Sequence, residues 1–191
     1  MEALAAGPAP APRRQLIVGS ALASVAMLML TGGMLAVWSL QRRRTVDLGE
    51  TWLPSGVTVP EVPVNVTLLA FIGICTFAQW AVYAAKRGDR AHTAFALAVT
   101  VLTAVMVINA QAFIYSEMGL GIGDGTYAAM FYAVTGMFLA LMTIGVILAA
   151  VAAFRFLGGR SDREIVAAHA IYWYTVAIIF SAIWFVVYVT K

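Results

Sequence analysis

Residues Tyr127–Phe156 read YAAMFYAVTGMFLALMTIGVILAAVAAFRF, and only Arg155, near the far end, carries a charge. The run is longer than the roughly 20 apolar residues needed to cross the hydrocarbon core of a bilayer. It lacks the alternation of a barrel strand, and in lipid such an unbroken segment satisfies its own backbone only as a helix. At ~1.5 Å per residue it extends about 45 Å, so it is expected to tilt or to project from the membrane. Four further runs have the same character: Gln15–Leu40, Val64–Ala85, Ala91–Ser116 and Ile165–Thr190. The expected fold is therefore an all-α integral membrane bundle of five transmembrane helices.

Composition agrees with this reading. The 191-residue chain is 62% hydrophobic and 11% charged, where soluble domains carry about 25% charged residues. The one cysteine, Cys75, lies inside an apolar run, which excludes an internal disulfide framework and a cysteine zinc site. The net charge of +3 comes from arginines and lysines grouped at the ends of the spans. That is a membrane-flank pattern and not the basic stripe of a nucleic-acid binder.

Residues 1–14, rich in Ala and Pro, are expected to form a disordered cytoplasmic tail, and residues 15–191 a single membrane domain. The Arg13-Arg14 pair is spelled like the start of a twin-arginine export signal. The apolar run behind it is too long for a signal segment, so an uncleaved first span is expected. Residues 41–63 form the only long loop of this reading. Ser161-Asp162-Arg163-Glu164 has the spelling of a capping box ahead of the fifth span, and Asp124 or Thr126 can cap the fourth. Pro60 and Pro63 stand where a helix start tolerates proline. On one side lie Arg13, Arg14, Lys86, Arg87, Arg90, Arg155, Arg160 and Arg163, and on the other Arg42, Arg43, Arg44 and Lys191. The excess places the N-terminus in the cytoplasm, against the pull of the Arg42–Arg44 run.

Candidate chemistry is sparse. His92 and His169 fall at similar depth near the cytoplasmic ends of their helices, where a bis-histidine haem site is conceivable and where interfacial polar residues also sit. No serine or threonine in the spans has a histidine or carboxylate at helical spacing, which argues against nucleophilic catalysis. Glu117 and Asp124 flank a short outer loop and read as solvated. Gly119, Gly121, Gly123 and Gly125 do not fit a phosphate-loop spacing, and Asn65-Val66-Thr67 matches a glycosylation acceptor by letters only. Asn109 and Gln111, two residues apart, point to different faces of the third helix, and with Gln79 and Tyr115 they suit interhelical hydrogen bonds. Trp173, Phe180 and Trp184 form one stripe on the aromatic-rich fifth helix. No catalytic, metal-ligating or cofactor-binding residue is expected in this chain.

The ordered motifs resemble a known family. Phe131-Tyr132-Ala133-Val134-Thr135-Gly136, with Gly145 nine residues on and Arg155 closing the helix, resembles the fourth helix of short, five-helix subunit III proteins of haem–copper oxidases. There the segment reads F-Y-x-x-T-G-F-H-x-x-H, then glycine, then a terminal arginine. Tyr172-Trp173-Tyr174-Thr175-Val176-Ala177, with Tyr188, is similar to the family's last helix, Y-W-H-F-V-D followed by a distant tyrosine. Lys86-Arg87-Gly88-Asp89 resembles the basic turn after the second helix, Gly33-Met34-Leu35-Ala36 the end of the first, and Gln111 and Tyr115 match polar positions of the third. The likeness runs from about Gln15 onward.

The departures are systematic. Family histidines fall on Phe138, Leu141 and Tyr174, an aspartate on Ala177, and glutamates near Ile114 and Met27. The resemblance implies a non-catalytic accessory subunit of a respiratory cytochrome c or quinol oxidase in the inner (plasma) membrane. Such a subunit packs against catalytic subunit I, which holds the haem and copper, and contacts phospholipids. The residues implied in packing or lipid contacts are Gln111, Tyr115, Phe131, Tyr132, Thr135, Gly136, Gly145, Arg155, Tyr172, Trp173 and Tyr188. A role through the lost ionisable network is put in doubt. The alternatives are an accessory protein of nitric oxide reductase from the same family, a membrane carrier, or the bis-histidine haem protein. A carrier usually shows broken helices and midplane polar groups, and neither is visible in the sequence.

Overall fold

The structure is a computed structural model, and it describes residues 14–158 and 163–190. Among the described residues the regular elements are all helical: α1 Gln15–Asp47, α2 Glu61–Arg87, α3 Arg90–Met118, α4 Thr126–Leu157 and α5 Arg163–Ile183. From Trp184 to Val189 α5 continues with π-helical winding, seen in the bond from the Thr190 N–H to the Phe185 carbonyl. Five helices are each long and apolar enough to cross a membrane.

Most helix ends fall within a few residues of those expected; the first does not. α1 runs through the Arg42–Arg44 cluster to Asp47, so the loop narrows to residues 48–60. Arginine is a good helix former, and nothing breaks the helix before Gly49, whose φ of 81° lies in the left-handed region. Pro60 is the N-cap of α2. Gly88, with φ 75°, ends α2 in a left-handed cap. There the Asp89 N–H reaches back to the Ala84 carbonyl, which lets the chain reverse within two residues. Asp89 then caps α3 by accepting the His92 N–H at 3.0 Å.

Neither Asp124 nor Thr126 caps α4. The N-cap is Gly125, with no side-chain bond, because the Asp124 carboxylate turns back to accept the Gly121 N–H at 2.7 Å. Ser161 and Asp162 of the expected capping box lie outside the described residues. Glu164, its fourth member, accepts the Leu16 and Ile17 N–H groups at 2.8 and 3.3 Å. The carboxylate of α5 therefore serves the unsatisfied donors of α1.

The helices α2, α3, α4 and α5 form a ring, each packed on the next and α5 on α2. α1 lies outside it, chiefly against α5 and more lightly against α4. Its buried residues are only Ser24, Thr31, Leu35 and Trp38. α5 is the centre: Val166, Trp173, Val176, Phe180 and Ile183 are fully buried. Lipid tails are as apolar as these side chains, so the bundle is held by close packing and interhelical hydrogen bonds rather than by hydrophobic burial. α5 and its π-helical end bond to every other helix. Tyr172 reaches the Leu141 carbonyl at 2.6 Å, Tyr174 reaches Gln79 at 2.7 Å, Tyr188 lies 3.2 Å from Gln111, and the Thr175 and Ser24 hydroxyls meet at 2.8 Å.

Candidate functional site

The residues singled out in the sequence gather mainly into two clusters, one in each half of the bundle. The first joins α3, α4 and the π-helical end of α5. Gln111, fully buried, pairs with the Tyr188 hydroxyl. One turn further along α3, the Tyr115 hydroxyl donates to Thr135 Oγ1 at 2.7 Å, and Thr135 donates to the Phe131 carbonyl at 2.6 Å. Tyr132 donates to the Leu120 carbonyl at 2.6 Å, pinning the α3–α4 loop. The Phe131 ring packs edge-on against Tyr115, Tyr132 and Tyr188.

Sequence reading missed the lid of this cluster. Trp52, in the loop before α2, is buried and meets Trp38 of α1 and Tyr127 of α4 edge-on, at centroid distances of 5.1 and 5.4 Å. Trp38 and Tyr127 also touch, at 5.4 Å. A tryptophan in the connection between two spans was the available signal, since such a ring seldom stays exposed without a function.

The second cluster lies where α4 meets α5. A Cβ added to Gly145 would stand 2.8 Å from both Trp173 Cη2 and Tyr172 Cε1. Glycine is what lets the two helices approach. Trp173 donates its indole N–H to His169 Nε2 at 2.7 Å, and His169 is only 3% exposed. This histidine is buried between helices.

Two of the named residues join neither cluster. A Cβ at Gly136 would meet nothing within 4 Å, so no neighbour in this chain requires glycine there. Arg155 is exposed near the end of α4. Among the positions where the resemblance places ionisable groups, Phe138 and Ile114 are closely packed, while Tyr174 bonds to Gln79. Phe138 is buried against Phe71 and Phe180, with centroids 6.1 and 4.9 Å away, and Ile114 is fully buried. Asn109 is exposed and bonds back to the Val105 carbonyl of its own helix.

The two histidines stand on helices that are diagonal in the ring. His92 is exposed and bonds Asp89 through Nδ1 at 2.7 Å. The Asp89 carboxyl is held below the ordinary carboxylate range, chiefly by the backbone N–H of His92. Among the described residues no group of three or more His, Cys, Asp or Glu could hold a metal ion. The arrangement positions aromatic rings and closes hydrogen bonds between helices.

Cytochrome c oxidase subunit 3 of Prototheca wickerhamii is 32% identical over 151 residues, 75% of this chain and 57% of that protein. The protein of that name from Bos taurus is 32% identical over 132 residues, 66% of this chain and 50% of the relative. The Xenopus laevis protein is 34% identical over 96 residues, 48% of this chain and 36% of the relative. The chain thus spans about half the length of the curated relatives it matches. A family model described as cytochrome c oxidase subunit III matches residues 13–191, which takes in all five helices and both clusters. This multi-pass membrane protein belongs to the cytochrome c oxidase subunit III family.

Proposed function

We propose that this chain is a non-catalytic accessory subunit of a terminal haem–copper oxidase, packing against the catalytic subunit I and holding phospholipids beside it. The observation that carries the reading is a family match over the whole bundle combined with an interior packed with aromatic rings and tied by hydrogen bonds between helices. What such a bundle offers a complex is its outer surface. Large apolar side chains remain exposed along α1 (Leu22, Met29, Leu30) and on α2 and α3 (Leu69, Ile72, Leu102, Met106). In this reading haem and copper sit in the partner and oxygen is reduced there. The chain lies in the inner (plasma) membrane with its N-terminus cytoplasmic, as the excess of cations on that side supports.

The test is a mild-detergent pull-down of the tagged chain with absorption spectra of what accompanies it. Haem a or a copper-containing subunit supports the oxidase reading. Haem b with non-haem iron would move the chain to a nitric oxide reductase. A clean monomer with no partner would overturn both.

A further inference from the structure

The connection from α1 to α2 leans on one side chain. Of residues 49–56 only Trp52 is buried, with Leu53 and Pro54 half-buried and the rest exposed. Among the described residues no hydrogen bond ties residues 51–53 to the rest of the chain. Two clefts share Glu50, Thr51 and Trp52 as a wall. One, of about 570 Å³, reaches Arg42 and Val46 of α1, and the other, of about 240 Å³, reaches Thr126 and Tyr127 of α4. The segment therefore has open space toward both helices.

A glycine stands at each end of it. Gly49 and Gly56 have φ of 81° and 88°, a region that glycine enters and leaves without steric cost. A Cβ on either would meet nothing within 4 Å, so no neighbour locks them. Hinges are points of this kind, where a few loop residues absorb a large change of φ and ψ.

The seat of Trp52 is not fully satisfied. Trp38, Trp52 and Tyr127 touch one another. Both indole N–H groups and the tyrosine hydroxyl are buried without a hydrogen-bond partner among the described residues. Edge-on ring contacts favour this position, and three unmet polar groups oppose it. Outside, an indole is well placed at the boundary of water and membrane, where its ring and its N–H are both served.

We propose that residues 49–56 form a lid that swings on Gly49 and Gly56, lifting Trp52 from between Trp38 and Tyr127 and opening the first cluster to water at that end of the bundle. Closed, the lid shuts in a run of rings that leads inward from Tyr127 through Phe131 to Tyr188. Open, it presents Trp52 on the surface and wets Tyr127 and Trp38. The cluster is thus a two-state element, dry or wet, set by one loop.

The experiment follows hydrogen exchange of isotope-labelled indole N–H groups by NMR, on the full chain in lipid nanodiscs. Trp38 and Trp173 are equally buried, at 1% and 0% exposed, but only Trp38 lies under the lid. Trp38 and Trp52 should exchange together and faster than Trp173. Gly56→Ala puts a side chain into the left-handed region and strains the closed position, so it should speed exchange at Trp38 and Trp52 about fivefold or more and leave Trp173 unchanged. A missing hydrogen bond at Trp38 would not by itself couple that ring to Gly56. Tyr127→Phe keeps the ring and removes an unmet hydroxyl, so it should favour closure and slow both indoles about fivefold or more.

Exchange of Trp38 and Trp52 as slow as that of Trp173 would overturn the proposal. So would exchange at Trp52 without Trp38, which marks a fraying loop and not a lid. Unchanged rates in Gly56→Ala, or unchanged or faster rates in Tyr127→Phe, would overturn it as well.

Discussion

Replacing Gly145 by alanine should destabilise the bundle, while the same change at Gly136 should stabilise it. Both glycines lie inside α4, where alanine gains about 1 kcal/mol of helix propensity over glycine. At Gly136 nothing opposes that gain, because the new methyl meets no atom within 4 Å. At Gly145 it would stand 2.8 Å from Tyr172 and Trp173, where carbon atoms prefer about 3.5–4.0 Å. Overpacking of this kind costs about 1–3 kcal/mol. Neither ring swings away freely, since Tyr172 is tied to Leu141 and Trp173 to His169. Loss of one such bond adds about 0.6 kcal/mol in a membrane protein. With the helix-propensity gain set against these costs, the net effect at Gly145 is about 0.6–2.6 kcal/mol destabilising. Cys75, the single cysteine and half-buried, is a ready reporter: a thiol-reactive dye follows its exposure during a thermal ramp in detergent. At about 2–4 °C per kcal/mol for a chain of this size, Gly145→Ala should melt several degrees below wild type and Gly136→Ala a few degrees above. Equal shifts of the same sign would refute the close approach of α4 and α5 at Gly145.

Tyr188→Phe leaves Gln111 buried without its partner and should cost about 1–3 kcal/mol. The double change Gln111→Leu with Tyr188→Phe should recover part of that in the same melt, and strict additivity would count against the pair. Glu164→Ala removes the acceptor of the Leu16 and Ile17 N–H groups, so amide exchange should quicken in the first turn of α1 and not in α3. Trp52→Ala takes a buried ring from between Trp38 and Tyr127 and should cost about 3–5 kcal/mol, with protease cutting appearing in residues 48–60. The Asp89 carboxyl is held low by the His92 N–H, so its stabilising effect is full above the ordinary carboxylate value and fades as pH falls through the lowered one. The melting difference between wild type and Asp89→Asn should be present at neutral pH and vanish under strong acid; a difference that persists there would refute the cap.

The five spans were legible because length and unbroken apolarity are local properties, and Tyr127–Phe156 alone is enough to exclude a soluble fold. Helix ends were legible where one residue decides them, as at Gly88, and not where a side chain chooses among several acceptors or donors. Asp124 prefers the Gly121 N–H to the start of its own helix. Glu164 reaches a helix 147 residues away in sequence, which no local pattern encodes. The Arg42–Arg44 run looked like the edge of a membrane span, yet arginine continues a helix into the headgroup zone readily. The eleven motif residues could be named from the sequence, but how they group in space could not. The pairing of Gln111 with Tyr188 depends on α3 and α5 facing one another, and the contrast between Gly145 and Gly136 on which face of α4 meets α5. The burial of His169 follows only once α1 is seen to cover that side of α5.

The placement of α1 outside the ring, against α5, bears on how the chain is made. α1 finds its main partner in α5, which is synthesised more than a hundred residues later. At about 5–20 residues per second, α1 spends on the order of 10 s in the lipid or beside the insertion machinery before its seat exists. α2 waits likewise for the partner that closes the ring. Until then α1 is held in the membrane by its own apolarity, while α2, α3 and α4 can already pack in sequence; arrival of α5 closes the ring and seats α1.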